Sequence, residues 1–126
     1  MESDRYGPRM NCAVDATMSV IEGRWKTVIL CMLYRNGPMR FSRLMDAIDG
    51  ISPRILSKQL KEMESDGIVA RISYPEIPPR VEYSVTAKGE SLAPILVAMA
   101  EWGRENMFPN RVRFDSDTEM PESQSC

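Results

Sequence analysis

The sequence predicts a mainly α-helical domain with one small β hairpin, and three observations predict it. The first is the segment ISPRILSKQLKEMESDG, Ile51 to Gly67. Ser52 is a good N-cap, Pro53 suits the first helical position, and Gly67 suits a left-handed residue just past the end. Ile55, Leu56, Leu60 and Met63 fall on one side at helical spacing, with Arg54, Ser57, Lys58 and Lys61 opposite. The second observation is the pair of segments after Gly67. IVARISY and VEYSV read as two short strands joined by PEIPPR, where Pro78-Pro79 stiffens the tip. The third is an earlier core helix, with Trp25, Val28, Ile29, Met32 and Leu33 recurring at i, i+3, i+4, i+7 and i+8. A helix with an apolar back and a cationic front, leading into a hairpin, is the outline of a winged helix-turn-helix. Such a helix suits a major groove.

The remaining elements can be placed in chain order. A first helix is expected over about Cys12 to Ile21, ended by Gly23. The core helix stops at Asn36-Gly37-Pro38 by turn chemistry. Met39-Arg40 can form a short strand or lead-in. A third helix is expected over Phe41 to Ile48, with Phe41, Leu44, Met45 and Ile48 inward, and Asp49-Gly50 turns into the basic helix, 52–66. In the wing, 74–83, Val81, Tyr83 and Val85 alternate with Glu82 and Ser84, the mark of a half-buried strand. Thr86 is the expected N-cap of a last helix reaching roughly Met107, with Pro94 kinking it or removing one hydrogen bond. Its stripe of Leu92, Ile95, Leu96, Met99 and Trp102 is long for so small a core. Together with the first helix it predicts a homodimer interface; the alternative is that the stripe folds back on its own core. The expected organisation is a flexible N-terminus (1–11), one winged helix-turn-helix domain with terminal dimerisation helices (12–107) and a flexible acidic tail (108–126).

Composition narrows the function classes. The chain has 126 residues and 43% apolar content, enough for one domain with a modest core. No apolar run approaches the about 20 residues of a membrane span, and the first ten residues hold no signal-peptide core. A soluble cytoplasmic protein is expected. The net charge is −2, but all 16 Lys and Arg lie at or before Arg113, and four of the 18 acids lie after it. Sixteen bases against fourteen acids leave the body at +2 and the tail at −4. Between Ser52 and Lys61 there are three bases and no acids, a local basic patch of the kind DNA binding needs. Three cysteines spaced by 19 and 95 residues, with no histidine, argue against a disulfide scaffold and against a zinc site. The ten methionines are expected to fill core rather than hold a metal. Without histidine, GxSxG, Walker loop or GxGxxG, an enzyme has little support and no cofactor is expected.

Several segments carry a more specific likeness. They are Cys12, the IEGRW of Ile21 to Trp25 with the ILCML after it, Arg40-Phe41, Leu44, GISPRILSKQLKEMESDGIVAR from Gly50 to Arg71, and YPEIPPRVEYSVTAKG from Tyr74 to Gly89. Over Cys12 to Trp102 the chain resembles the HxlR-type family of winged-helix transcriptional regulators. The resemblance implies a dimer paired through its first and last helices, with an effector that is often unknown. It also implies, by analogy with some members, a redox-sensing N-terminal cysteine. Three departures stand out. The family usually has Cys-Pro where this chain has Cys12-Ala13, IGGKW where it has IEGRW, and an acid where it has Arg43. The last adds positive charge near the third helix.

The candidate DNA-binding residues are Arg40, Arg43, Ser52, Pro53, Arg54, Ser57, Lys58, Lys61, Arg71 and Arg80. Arg54, Lys58 and Lys61 are expected in the groove. Arg54 is nearest the helix N-terminus, where a guanidinium matches guanine O6 and N7. Ser52 and Ser57 can donate to phosphate or bases, and the helix N-terminus itself favours phosphate. Lys61 has the alternative of pairing locally with Glu64. Arg80, beside the stiff tip, suits a minor groove; its alternative is an ion pair with Glu76 or Glu82. Arg40 and Arg43 either anchor the DNA backbone or are plain surface charges. Cys12 is the redox candidate, because a helix N-terminus lowers a thiol pKa. The alternative is a small core residue. Cys31 is expected to pack, and Cys126, in the tail, to be incidental. The favoured partner is double-stranded operator DNA, an inverted repeat matching a two-fold dimer. The alternative is a winged-helix protein-interaction module that does not bind DNA.

Overall fold

The structure, a computed structural model, describes residues 12–108. The expected N-terminal segment and acidic tail, with Cys126, fall outside them except for Phe108. Six helices and one hairpin run in the order α1 (Ala13–Ile21), α2 (Lys26–Asn36), α3 (Phe41–Ala47), α4 (Pro53–Ser65), β1 (Val69–Tyr74), β2 (Arg80–Val85), α5 (Ala87–Glu90) and α6 (Ala93–Asn106). The two strands pair antiparallel from Val69 opposite Val85 to Tyr74 opposite Arg80. Met39 adds a rudimentary third strand, exchanging two backbone hydrogen bonds with Tyr83 at 2.9 and 2.8 Å. Among the described residues no helix is long and apolar enough to cross a membrane.

The core lies where α2, α3 and α4 meet the root of the hairpin. Ile29, Leu30, Leu44, Leu56, Leu60, Met63 and Ile68 are its largest fully buried side chains. The face of α2 is turned relative to the expected stripe. Leu30 is fully buried, while Trp25, Val28 and Met32 only pack against the rim. The unbroken run VILCML is apolar on both sides of the helix, so periodicity could not fix the rotation.

The last helix is two pieces. Thr86 caps α5 as expected, its hydroxyl accepting from the Gly89 N–H at 3.1 Å. The chain then breaks at Ser91-Leu92, and Pro94 sits in the first turn of α6. Proline is tolerated there because the first N–H groups of a helix have no intrahelical acceptor. The expected kink is thus a helix start.

The end of α4 is tied to this joint. Gly67 takes φ +81°, and the Gly67 and Ile68 N–H groups return to the Glu64 and Met63 carbonyls at 2.9 and 3.1 Å, a Schellman ending. The Thr86 hydroxyl donates to the Gly67 carbonyl at 2.6 Å, and Lys88 Nζ donates to the Asp66 carbonyl at 2.8 Å. Gly89 is buried against the Ile68 backbone, and its carbonyl accepts from the Tyr34 hydroxyl at 2.6 Å. Four short-range contacts therefore fix the orientation of α4 relative to α2 and α5.

Candidate nucleic-acid interface

α4 forms where its sequence says it should. The Ser52 hydroxyl accepts from the Ile55 N–H at 3.1 Å and Pro53 occupies the first turn, so one orphan donor is satisfied and none is lost at the proline. Leu56, Leu60 and Met63 are buried. Ile55, placed on the same stripe by sequence, lies at its margin and is exposed. Arg54, Lys58 and Lys61 are all exposed, and the spacing i, i+4, i+7 puts them along one face. Ser57 is half-buried beside them. The outcome is a helix anchored by its apolar back with its cations directed to solvent.

The carboxylate of Glu62 was not singled out from the sequence. One oxygen lies 2.7 Å from Lys26 Nζ, and the other 3.6 Å from Lys58 Nζ. The Lys26 side chain is only 6% exposed. A signal was present in the sequence. Lys26 stands three, four and seven residues before Ile29, Leu30 and Leu33, which places a lysine on the buried face of α2. The Lys58 contact is a surface pair between residues four apart and contributes little to stability.

The wing is organised around Arg80. Its guanidinium pairs with Glu76 at 3.1 Å and approaches Glu82 at 3.9 Å, and it lies over the Tyr74 ring, 3.9 Å from the centroid. The intramolecular pairing that the sequence left open is therefore formed with both acids. Ile77, not Arg80, stands fully exposed at the tip, between Glu76 and a cis Ile77-Pro78 peptide. Arg71 is exposed on β1, in register with Tyr83. Arg40 and Arg43 are exposed at the start of α3, where the Arg40 carbonyl accepts from the Arg43 and Leu44 N–H groups. The structure thus groups Arg54, Lys58 and Lys61 on one helix face and holds Arg80 within the hairpin.

Cys12 is a free, exposed cysteine at the N-cap of α1. The backbone N–H groups of Asp15, and less strongly Val14, face its sulfur without closing a cap hydrogen bond. They hold the thiol below its ordinary pKa, because a thiolate is the better acceptor at a helix start. The buried-core alternative for Cys12 does not occur. Cys31 is buried on α2.

A helix-turn-helix joined to a hairpin has a match in known proteins. The model of the HxlR-like helix-turn-helix family matches residues 20–111. The chain belongs to the HxlR family. An uncharacterized HTH-type transcriptional regulator of Methanothermobacter thermautotrophicus is 46% identical over 93 residues, covering 74% of this chain and 70% of the relative. The uncharacterized HTH-type regulator YtcD of Bacillus subtilis is 41% identical over 123 residues, covering 98% and 92%. Among solved structures, the redox regulator HypR in its reduced form superposes with a TM-score of 0.71 at 40% identity, covering 77% of this chain and 95% of HypR. HypR in its oxidised form matches as well, with a TM-score of 0.69. The HxlR-type assignment and the winged-helix fold expected from sequence therefore stand.

Proposed function

We propose that this HxlR-type chain is a sequence-specific, DNA-binding transcriptional regulator. It acts as a homodimer on an inverted-repeat operator in the cytoplasm, with α4 in the major groove. The observation that carries this reading is the face of α4. Arg54, Lys58 and Lys61 project from a helix whose opposite side is locked into the core. Arg54 reads a base edge, while Lys58, Lys61 and the Ser52 helix end engage phosphate. Arg40, Arg43 and Arg71 contribute flanking phosphate contacts. Arg80 reaches the minor groove only by leaving Glu76 and Glu82, so its first role is to hold the wing in shape. Support for the dimer comes from apolar side chains left exposed on the terminal helices, Val14 and Met18 on α1 and Ile95, Met99 and Trp102 on α6. Support for a redox response comes from the exposed, thiolate-favouring Cys12 and from the likeness to HypR.

A salt titration of binding to duplex DNA selected from a random pool tests the reading. Replacing Arg54 and Lys58 by Ala is expected to weaken selected-duplex binding by about 10- to 100-fold, since a good bidentate base contact is worth about 1–3 kcal/mol. The fold should persist, because both side chains are exposed. Undiminished binding by the double variant would remove α4 from the interface. The same titration after diamide treatment, with Cys12→Ser as the control, reads the redox arm. Equal affinity before and after treatment would dismiss it.

A further inference from the structure

We infer that Glu62, anchored by Lys26, is a positioning and specificity residue: it fixes the rotation of α4 and restrains Lys58 from engaging phosphate on the wrong DNA. This deepens, and rests on, the reading of α4 as the DNA-reading helix. Lys26 is the first residue of α2, and α2 carries no acid in its first turn. A cation at the positive end of a helix is disfavoured, and a buried ammonium without a partner more so. Glu62 Oε1 meets both needs at 2.7 Å. An apolar ridge such as Leu56, Leu60 and Met63 tolerates small rotations of a helix. A short, mostly buried ion pair accepts few geometries, so it specifies one.

The second carboxylate oxygen lies 3.6 Å from Lys58 Nζ, and the Lys58 side chain is 69% exposed. Every phosphate that Lys58 contacts competes with Glu62. Because Lys26 holds Glu62 in place, the carboxylate cannot follow Lys58 outward. On non-specific DNA, phosphate contacts supply essentially all of the affinity, so this competition weighs most there. On a cognate site the base contacts of a correctly rotated α4 add to them. Glu62 thereby widens the gap between right and wrong sequences.

The experiment uses the full chain with a random-sequence duplex pool and with a duplex that the native chain selects from that pool. Binding is titrated against salt for the native chain, Glu62→Gln, Lys58→Ala and their combination. Lys26→Met with Glu62→Gln is the second test, since it removes both charges and leaves no lone buried ammonium if the single variant fails to fold. Glu62→Gln is expected to tighten binding to the random pool by about threefold or more. It should steepen the slope of log K against log salt by about 0.9, the value for one added phosphate contact. In the Lys58→Ala background it should not steepen the slope. A general loosening of the fold would not show that dependence on Lys58. The paired Lys26/Glu62 variant is expected to steepen the slope likewise and to lower the selected-to-random affinity ratio by about tenfold. Unchanged slopes, or the same change with and without Lys58, would overturn the inference while native binding keeps the reading of α4 intact. A native chain that binds neither duplex overturns both.

Discussion

α4 and α6 are helices of nearly equal length, 13 and 14 residues, and both carry an apolar stripe. In α4 the stripe is spent inside the chain: Leu56, Leu60 and Met63 are buried, and the charged face is the one left for a partner. In α6 only Leu96 is buried, and Trp102 remains 61% exposed at the far end of the same stripe. Helical periodicity therefore identifies a face without identifying what covers it. The cover of α4 is this chain's own core. An uncovered stripe with exposed Ile95, Met99 and Trp102, facing the same need as the exposed Val14 and Met18 of α1, is what a second copy would bury.

Truncating each helix in turn sharpens the contrast. Leu60→Ala is expected to cost about 2–5 kcal/mol of unfolding free energy, the range for a buried leucine, at every protein concentration. Trp102→Ala should leave the unfolding of the single chain within about 0.5 kcal/mol, as for other exposed positions. Its effect should appear in assembly instead. A buried aromatic anchor is worth about 2 kcal/mol or more at an interface, a roughly 30-fold weaker dimer. Chemical denaturation and sedimentation over a range of concentrations separate the two. If Trp102→Ala lowered stability equally at all concentrations, α6 would belong to the core as α4 does, and the comparison would collapse.

A smaller effect probes the joint between the two regions. A Cβ on Gly89 would press into the Ile68 carbonyl oxygen and lie 2.6 Å from Val85 Cγ1. The first of these neighbours is backbone and cannot turn aside. Gly89→Ala is expected to cost about 1–3 kcal/mol, as overpacked sites do. It should also loosen the Thr86 and Lys88 bonds that hold the end of α4, which hydrogen exchange at Gly67 and Ile68 would report. Native-like protection there would mean that α5 and α4 are not mechanically joined.

Much of this fold was legible because local signals and tertiary structure agree. Ser52-Pro53 and Gly67 bracket α4, the alternation after Pro79 marks β2, and Thr86 caps a helix. Two features were not legible, for physical reasons. The break before Pro94 falls just after the place where Gly89 packs against the Ile68 backbone, a contact between residues 21 apart in sequence. The candidate site was legible as a face, since Arg54, Lys58 and Lys61 stay exposed together. Its internal restraints were not. Glu62 is an ordinary acid on a helix until Lys26 is brought 2.7 Å from it. Arg80 was equally compatible with DNA and with its neighbours. Only the strand register, which sets Arg80 opposite Tyr74 with Glu82 two residues along, shows the stacked and paired arrangement.

The smallest predicted effect tests the same joint from the side of α2. The Tyr34 hydroxyl donates to the Gly89 carbonyl at 2.6 Å, and burial, with the nearby Glu90 carboxylate, pushes its pKa from 10.0 up to about 12. Both causes disfavour the phenolate. The folded state therefore holds this proton more tightly than the unfolded chain does. The resulting stabilisation is complete below pH 10 and is lost as pH rises through the window from about 10 to about 12. Tyr34→Phe is expected to cost about 0.5–1.5 kcal/mol at neutral pH, the worth of one hydrogen bond. It should also remove Tyr34's share of the alkaline loss. The quantity to follow is the difference in stability between the native chain and the variant. That difference should shrink across the window, because the unfolded chain's Tyr34 phenol ionises there while the folded one still holds its proton, and phenylalanine has no proton to lose in either state. A difference that stayed constant across the window from about 10 to about 12 would mean that the Tyr34 contact is packing alone. The joint would then rest on Thr86 and Lys88.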